Sequence, residues 1–226
     1  MLLALPNTNS TYTNRSLIAV AVCLAISIMP GDLVAEGNSS SGPDPFDAAV
    51  KAVKSKNFGH AFDLFEALAQ DDNHDAQFNL AVLLRQGKGR PQHFTKALEW
   101  ALLAQLGGVT RAKSLSDEIS ILVTPNSLQK SIANVDAHLK GRLDRGERRA
   151  VMQYVVFNQS ILPTPDLETA YLWSLIGAAL GVANAILLRD NIVTGLDPET
   201  IEATQDMARS IFEDQNMTVL FASSDN

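Results

Sequence analysis

Four histidines and one cysteine carry most of the chemical reach of this 226-residue chain. His60, His74, His93 and His138 are scattered, and no two stand at the i, i+4 spacing that turns both imidazoles toward one metal ion. Cys23 is alone, which excludes a disulfide framework and a cysteine-cluster metal site. A nucleophile needs a base within hydrogen-bond reach, and the chain contains neither Gly-x-Ser-x-Gly nor His-Glu-x-x-His. Acidic pairs such as Asp117–Glu118 and Glu213–Asp214 are adjacent, so on a helix they point apart instead of sharing a proton. Gly87-Lys-Gly89 could wrap a phosphate, but the Lys-Ser/Thr of a P-loop does not follow. These two glycines read as turn residues with positive φ. His74, beside Asp71, Asp72 and Asp75, reads as part of a solvated loop between helices. No catalytic residue, cofactor or metal ion is expected, and the chain is not expected to be an enzyme.

Contact chemistry is better represented. Lys140, Arg142, Arg145, Arg148 and Arg149 form a basic cluster interrupted by Asp144 and Glu147. It reads either as a solvated linker with local ion pairs or as a docking patch for an acidic partner or anionic headgroups. The whole chain carries a formal charge of -7, so a broad electrostatic grip on nucleic acid is not expected. Tyr154, Tyr171 and Trp173 are candidate exposed anchors, because aromatic and arginine side chains dominate interface energies.

The elements that must position these residues are helical. Hydrophobic residues are 46% of the chain and charged residues 19%, enough for a core and too few charges for a disordered chain. A shift of 73 residues lays Trp100 on Trp173, Ala97 on Ala170, Gly108 on Gly181, Asp117 on Asp190 and Pro125 on Pro198, without a gap. A duplication follows. The first copy should hold helices over 76–85, 94–106, 111–123 and 124–140, and the second over 147–158, 167–180, 183–193 and 198–214. Thr124-Pro125 and Asp197-Pro198 each supply a cap followed by a first-turn proline. A half-matched pair, 46–55 and 58–69, precedes both copies. Sustained period-two alternation is absent, so strands are not expected.

From Asp75 to Gly107 the sequence resembles a Sel1-like repeat, a relative of the tetratricopeptide repeat. Gly87, Gly89, Phe94, Lys96, Ala97, Trp100 and Gly107 stand at the family's positions. The usual loop valine is replaced by Arg90-Pro91, and His93 stands where aspartate is common. The second copy keeps Ala170, Tyr171, Trp173 and Gly181 but has lost both loop glycines. The resemblance covers roughly residues 46 to 212. It implies antiparallel helix pairs stacked as a short right-handed α-solenoid. It also implies a protein that holds other proteins, as an adaptor or regulatory scaffold. Exported bacterial members of the family are common. Trp100 is expected to plug the gap between repeats, beside the small residues Ala97, Ala101 and Ala104.

The N-terminus adds a location. Arg15, the apolar run Leu17–Met29, the breaker Pro30-Gly31 and Ala35 make a secretory signal peptide over 1–35. The run is shorter than the 20 or so residues a spanning helix needs, and Val22 before Cys23 excludes a lipoprotein signal. Without 1–35 the chain has no cysteine, which suits an oxidising compartment. The expected organisation is a signal peptide (1–35), a flexible linker (36–45), a lead-in helix pair (46–74), the first Sel1-like copy with flanking helices (75–140), a divergent second copy (147–214) and a tail (215–226). The tail reads as a cap on the last repeat or as a segment that binds a partner. The expected location is the periplasm, with secretion or an inner-membrane anchor as alternatives. The expected partner is another protein, with contact to a membrane only if the signal stays attached. Alternative roles are a cell-wall-acting enzyme or enzyme subunit, and a signal-anchored adaptor.

Overall fold

A computed structural model of the chain describes residues 44–214 and 216–222. The expected signal segment and residues 36–43 of the expected linker lie outside the described residues. Among the described residues the secondary structure is entirely helical. The order is α1 (Pro45–Lys54), α2 (Phe58–Gln70), α3 (His74–Gln86), α4 (Phe94–Leu106), α5 (Thr110–Ser120), α6 (Pro125–Asp144), α7 (Arg148–Ser160), α8 (Leu167–Ala179), α9 (Ala185–Ile192), α10 (Pro198–Asp214) and α11 (Met217–Ala222), with one 3-10 turn, Val193–Gly195, after α9. Helices pack on neighbours one or two places away in sequence, so the described residues form an all-α array of repeated helical pairs. No described helix is long and apolar enough to cross a membrane.

Local chemistry explains where the helices begin. Asn57, Asn73, His93, Thr124 and Asp166 each accept a hydrogen bond from a backbone N–H of the first turn. His93 Nδ1 accepts from Lys96 N at 3.2 Å, and Asp166, at the matching place one copy later, accepts from Thr169 N at 2.9 Å. An imidazole therefore does in one copy what a carboxylate does in the other. Pro45 and Pro125 occupy first-turn positions where a missing N–H costs nothing. The chain reverses at residues with left-handed backbone, among them Lys56, Asp72, Gly87 and Gly108. At one such corner Asp72 N bonds Ala69 O and Asn73 N bonds Leu68 O, which closes α2.

The helix bounds follow the 73-residue shift. Helix α4 spans 94–106 and α8 spans 167–179, while α6 and α10 start at 125 and 198. Packing follows it too: α4 contacts α3, α5 and α6, and α8 contacts α7, α9 and α10. Ala97, Ala101 and Ala104 are fully buried on α4, so neighbouring backbones approach closely. The segment from Val151 to Phe157, rich in β-branched residues, lies inside α7 because its apolar residues meet the core. Helix α11 turns back from α10, and its Met217 and Phe221 are buried. A Cβ on Gly146, in the turn between α6 and α7, would collide with the carbonyl of Leu220. The tail thus seats against that middle turn as well as against α10.

The α3–α4 loop is fastened onto α2. Arg90 pairs with Asp63 at 2.5 Å and lies 4.9 Å from the centroid of Phe62. Gly89 has φ +81, and a Cβ there would run into the carbonyl of Phe58. Gly181 has φ +70 but faces open space. Gly89→Ala should therefore lower unfolding stability by about 2–4 kcal/mol, left-handed strain plus steric overlap. Gly181→Ala should cost only the strain, about 1–2 kcal/mol. Urea unfolding of both variants checks the difference, and equal losses would mean the loop does not press on α2.

Candidate functional site

The most concentrated polar chemistry surrounds Arg142 on α6. Its side chain is only 4% exposed, and a buried charge has to be neutralised in place. Arg142 Nη2 pairs with Asp72 Oδ2, its Nε donates to Glu147 Oε2 at 2.5 Å, and its Nη1 donates to Gln153 Oε1. With Gln153 Oε1 accepting, its Nε2 is the donor to His74 Nε2, 3.2 Å away. His74 then carries its proton on Nδ1 and donates to Gln77 Oε1 at 3.0 Å. Gln77 in turn donates to Ala69 O and Asp72 Oδ1, at 3.2 and 3.1 Å. The circuit joins the α2–α3 corner, α6 and α7. Its polar atoms are committed to one another, so it acts as a tie between helices.

Local structure explains each member. Asp72 has φ 62, a conformation that aspartate tolerates better than most residues, and this aims its carboxylate past the end of α2. Glu147 sits just before α7, on the turn that Gly146 makes. A Cβ on Gly107 would overlap the His74 ring, so glycine is needed there for close approach while Gly108 makes the left-handed turn. Burial works to raise the Asp72 carboxyl. The adjacent His138 imidazole and the charge of Arg142 outweigh it and hold the group below its ordinary value. His74 is thus no part of a solvated loop: it opens α3 and is tied into this circuit.

The basic cluster is dispersed by the fold. Helix α6 runs on to Asp144 and α7 begins at Arg148, so only 145–147 link the two copies. Arg142 is not a surface contact, because it faces the core among Asp72, Glu147 and Gln153. Arg145 is exposed but pairs with Glu147 at 2.8 Å. Arg148 donates to the carbonyl of Leu180, and Arg149 is exposed. Two of the three expected aromatic anchors are corrected too. Tyr154 is 5% exposed, stacked on Phe157 at 6.0 Å and edge-on to Trp173 at 5.9 Å. Burial, with the charge of Asp136, pushes its phenol up. Tyr171 is buried and accepts a hydrogen bond from Gln205 at 3.1 Å. Trp173 is half-buried. Of the repeat-signature positions, Ala97 and Ala170 are fully buried, Phe94 opens α4, and Gly87 and Gly181 make left-handed turns.

A cleft of about 510 Å³ lies between α4 and α6. Lys96, Glu99, Trp100 and Leu103 line one wall, and Asn134, Val135 and His138 the other. Trp100 is half-buried there and packs against the core. Glu99 is 8% exposed; its Oε1 accepts from Asn134 and its Oε2 from Lys96, both at 2.7 Å. His138 Nε2 is buried without a hydrogen-bond partner, 3.7 Å from Asp72 Oδ1. Among the described residues no group of three or more histidine, cysteine or acidic side chains could hold a metal ion. No protein-family model matches the chain, and no curated protein matches it.

The Asp72 shift has a definite sign. The folded carboxyl titrates below the unfolded one, so its stabilisation is complete above about pH 4 and is lost as pH falls through the folded value. Asp72→Asn should cost roughly 3 kcal/mol at neutral pH, because Arg142 loses a buried partner. The variant should also lose stability less steeply below about pH 4. Unfolding curves over a pH series test both points. An unchanged acid slope would place the acid sensitivity in another group.

Proposed function

We propose that this chain is an exported adaptor of the Sel1-like, tetratricopeptide-related kind, which binds another protein on a helical-repeat surface and performs no covalent chemistry. The observation that carries this reading is the contrast between its two polar regions. The chemically richest residues, Asp72, His74, Arg142 and Glu147, are spent on tying helices together. The accessible cleft offers an aromatic wall and oriented polar groups, which suit recognition. Neighbour-to-neighbour packing supports it further, since such arrays present extended binding surfaces. Export rests on the sequence pattern of residues 1–35, and periplasmic delivery with cleavage after Ala35 is part of the proposal.

The dispersal of the basic cluster moves the proposed contact from Arg142, Arg145, Arg148 and Arg149 to the α4–α6 cleft. Protein recovered from the exporting cells should begin at Glu36 by N-terminal sequencing. Immobilised, it should retain a partner from envelope extract saturably and in fixed proportion. An Arg145→Ala/Arg149→Ala variant should retain the same partner, whereas Trp100→Ala should reduce retention about tenfold, as loss of an aromatic anchor does. A failure to retain any protein in fixed proportion, at low or high salt, would count against the adaptor.

A further inference from the structure

Glu99 is nine-tenths buried, yet the fold does not require a carboxylate at its position. The internal repeat supplies the comparison. Under the 73-residue shift, Lys96, Glu99, Asn134 and His138 correspond to Thr169, Leu172, Met207 and Ile211. Trp100 alone keeps its identity, as Trp173. The second copy packs α8 on α10 as the first packs α4 on α6, with Leu172 and Ile211 partly buried against the core at the positions of Glu99 and His138. Apolar residues therefore suffice for the packing, and the first copy bears the cost of a desolvated carboxylate for another reason.

We propose that the α4–α6 cleft receives a lysine side chain from a partner protein, with the alkyl stem over Trp100 and the ammonium on Glu99 Oε2. The inference rests on the protein-binding reading and names its recognition chemistry. The present occupant shows what the carboxylate takes: Lys96 Nζ lies 2.7 Å from that oxygen, on a side chain 55% exposed that can swing into solvent. An anionic guest would face Glu99, and an apolar guest would strand it without a donor. Asn134 already holds Oε1, which leaves a single oxygen. That suits a point-like ammonium better than the two-pronged guanidinium of arginine. Trp100 adds a face for the stem and the cation. The chain's net charge of -7 favours the approach of a basic segment.

The test uses the full chain, ¹⁵N-labelled, titrated with the peptide acetyl-Ala-Ala-Lys-Ala-Ala-amide and its norleucine counterpart. Side-chain signals of Trp100 and Asn134 report the cleft, and the Trp173 indole is the internal control. The lysine peptide should move the Trp100 and Asn134 signals saturably, and the norleucine peptide should not. Glu99→Gln, which keeps an acceptor for Asn134, should weaken binding about tenfold, a difference of 1.4 kcal/mol. Lys96→Met should tighten it by removing the tethered competitor. Equal response to both peptides, indifference to Glu99→Gln, or Trp173 moving together with Trp100 would overturn the proposal. Capture of a whole partner by a chain whose cleft ignores the lysine peptide would overturn this inference and leave the adaptor intact. Lysine binding with no protein partner at all would overturn the partner as the source of the cation.

Discussion

A guanidinium with almost no exposed surface sits inside this array, and the geometry around it follows from the need to neutralise it. Arg142 draws Asp72 from the α2–α3 corner and Glu147 from the turn before α7. Arg145 balances Glu147 from the solvent side. Through Gln153 the same demand reaches His74 and Gln77 on α3. Helices packed only by aliphatic contact can slide against one another at small cost, whereas a hydrogen-bonded charge has one good arrangement. The circuit thus sets the register among α3, α6 and α7. It also holds His138, one turn before Arg142 on α6, at the rim of the α4–α6 cleft.

Much of this was legible in the sequence. Cap residues and first-turn prolines mark where α6 and α10 begin, and the paired tryptophans reveal the 73-residue period that the helices follow. Burial of individual polar side chains was less legible, although a signal exists. Val135, Leu139 and Leu143 recur at every fourth position along α6, and Arg142 stands three residues after Leu139, on the same stripe. Read by composition, Arg142 joins a basic cluster; read by helical position, it faces inward. Tyr154 follows the same rule, three and four residues after Val151 and Ala150, both fully buried. The partners Asp72 and Gln153 could not be paired with Arg142 in advance, because only the stacking of α2, α6 and α7 brings them together.

The duplication shows how one skeleton carries two linings. Caps and small residues recur because backbone geometry demands them: His93 and Asp166 both serve as caps, and Ala97 and Ala170 are both fully buried. Cleft residues are free of that demand and have diverged, Glu99, Asn134 and His138 standing where the second copy has Leu172, Met207 and Ile211. Side chains that differ between two copies of one backbone separate what the architecture needs from what it merely permits. Glu99 and Asn134 belong to the second group.

The seating of α11 against the Gly146 turn has a kinetic meaning. Apart from the Arg142 circuit, most contacts in the array join helices close in sequence, so a chain emerging N-terminus first can form them in order. Leu220 reaching back to Gly146 is different: it closes a loop that spans the entire second copy. That closure waits for α11 to be made, and it costs more chain entropy than any neighbouring pair. A chain in which α11 has not yet seated leaves the burial sites of Met217 and Phe221 open to water.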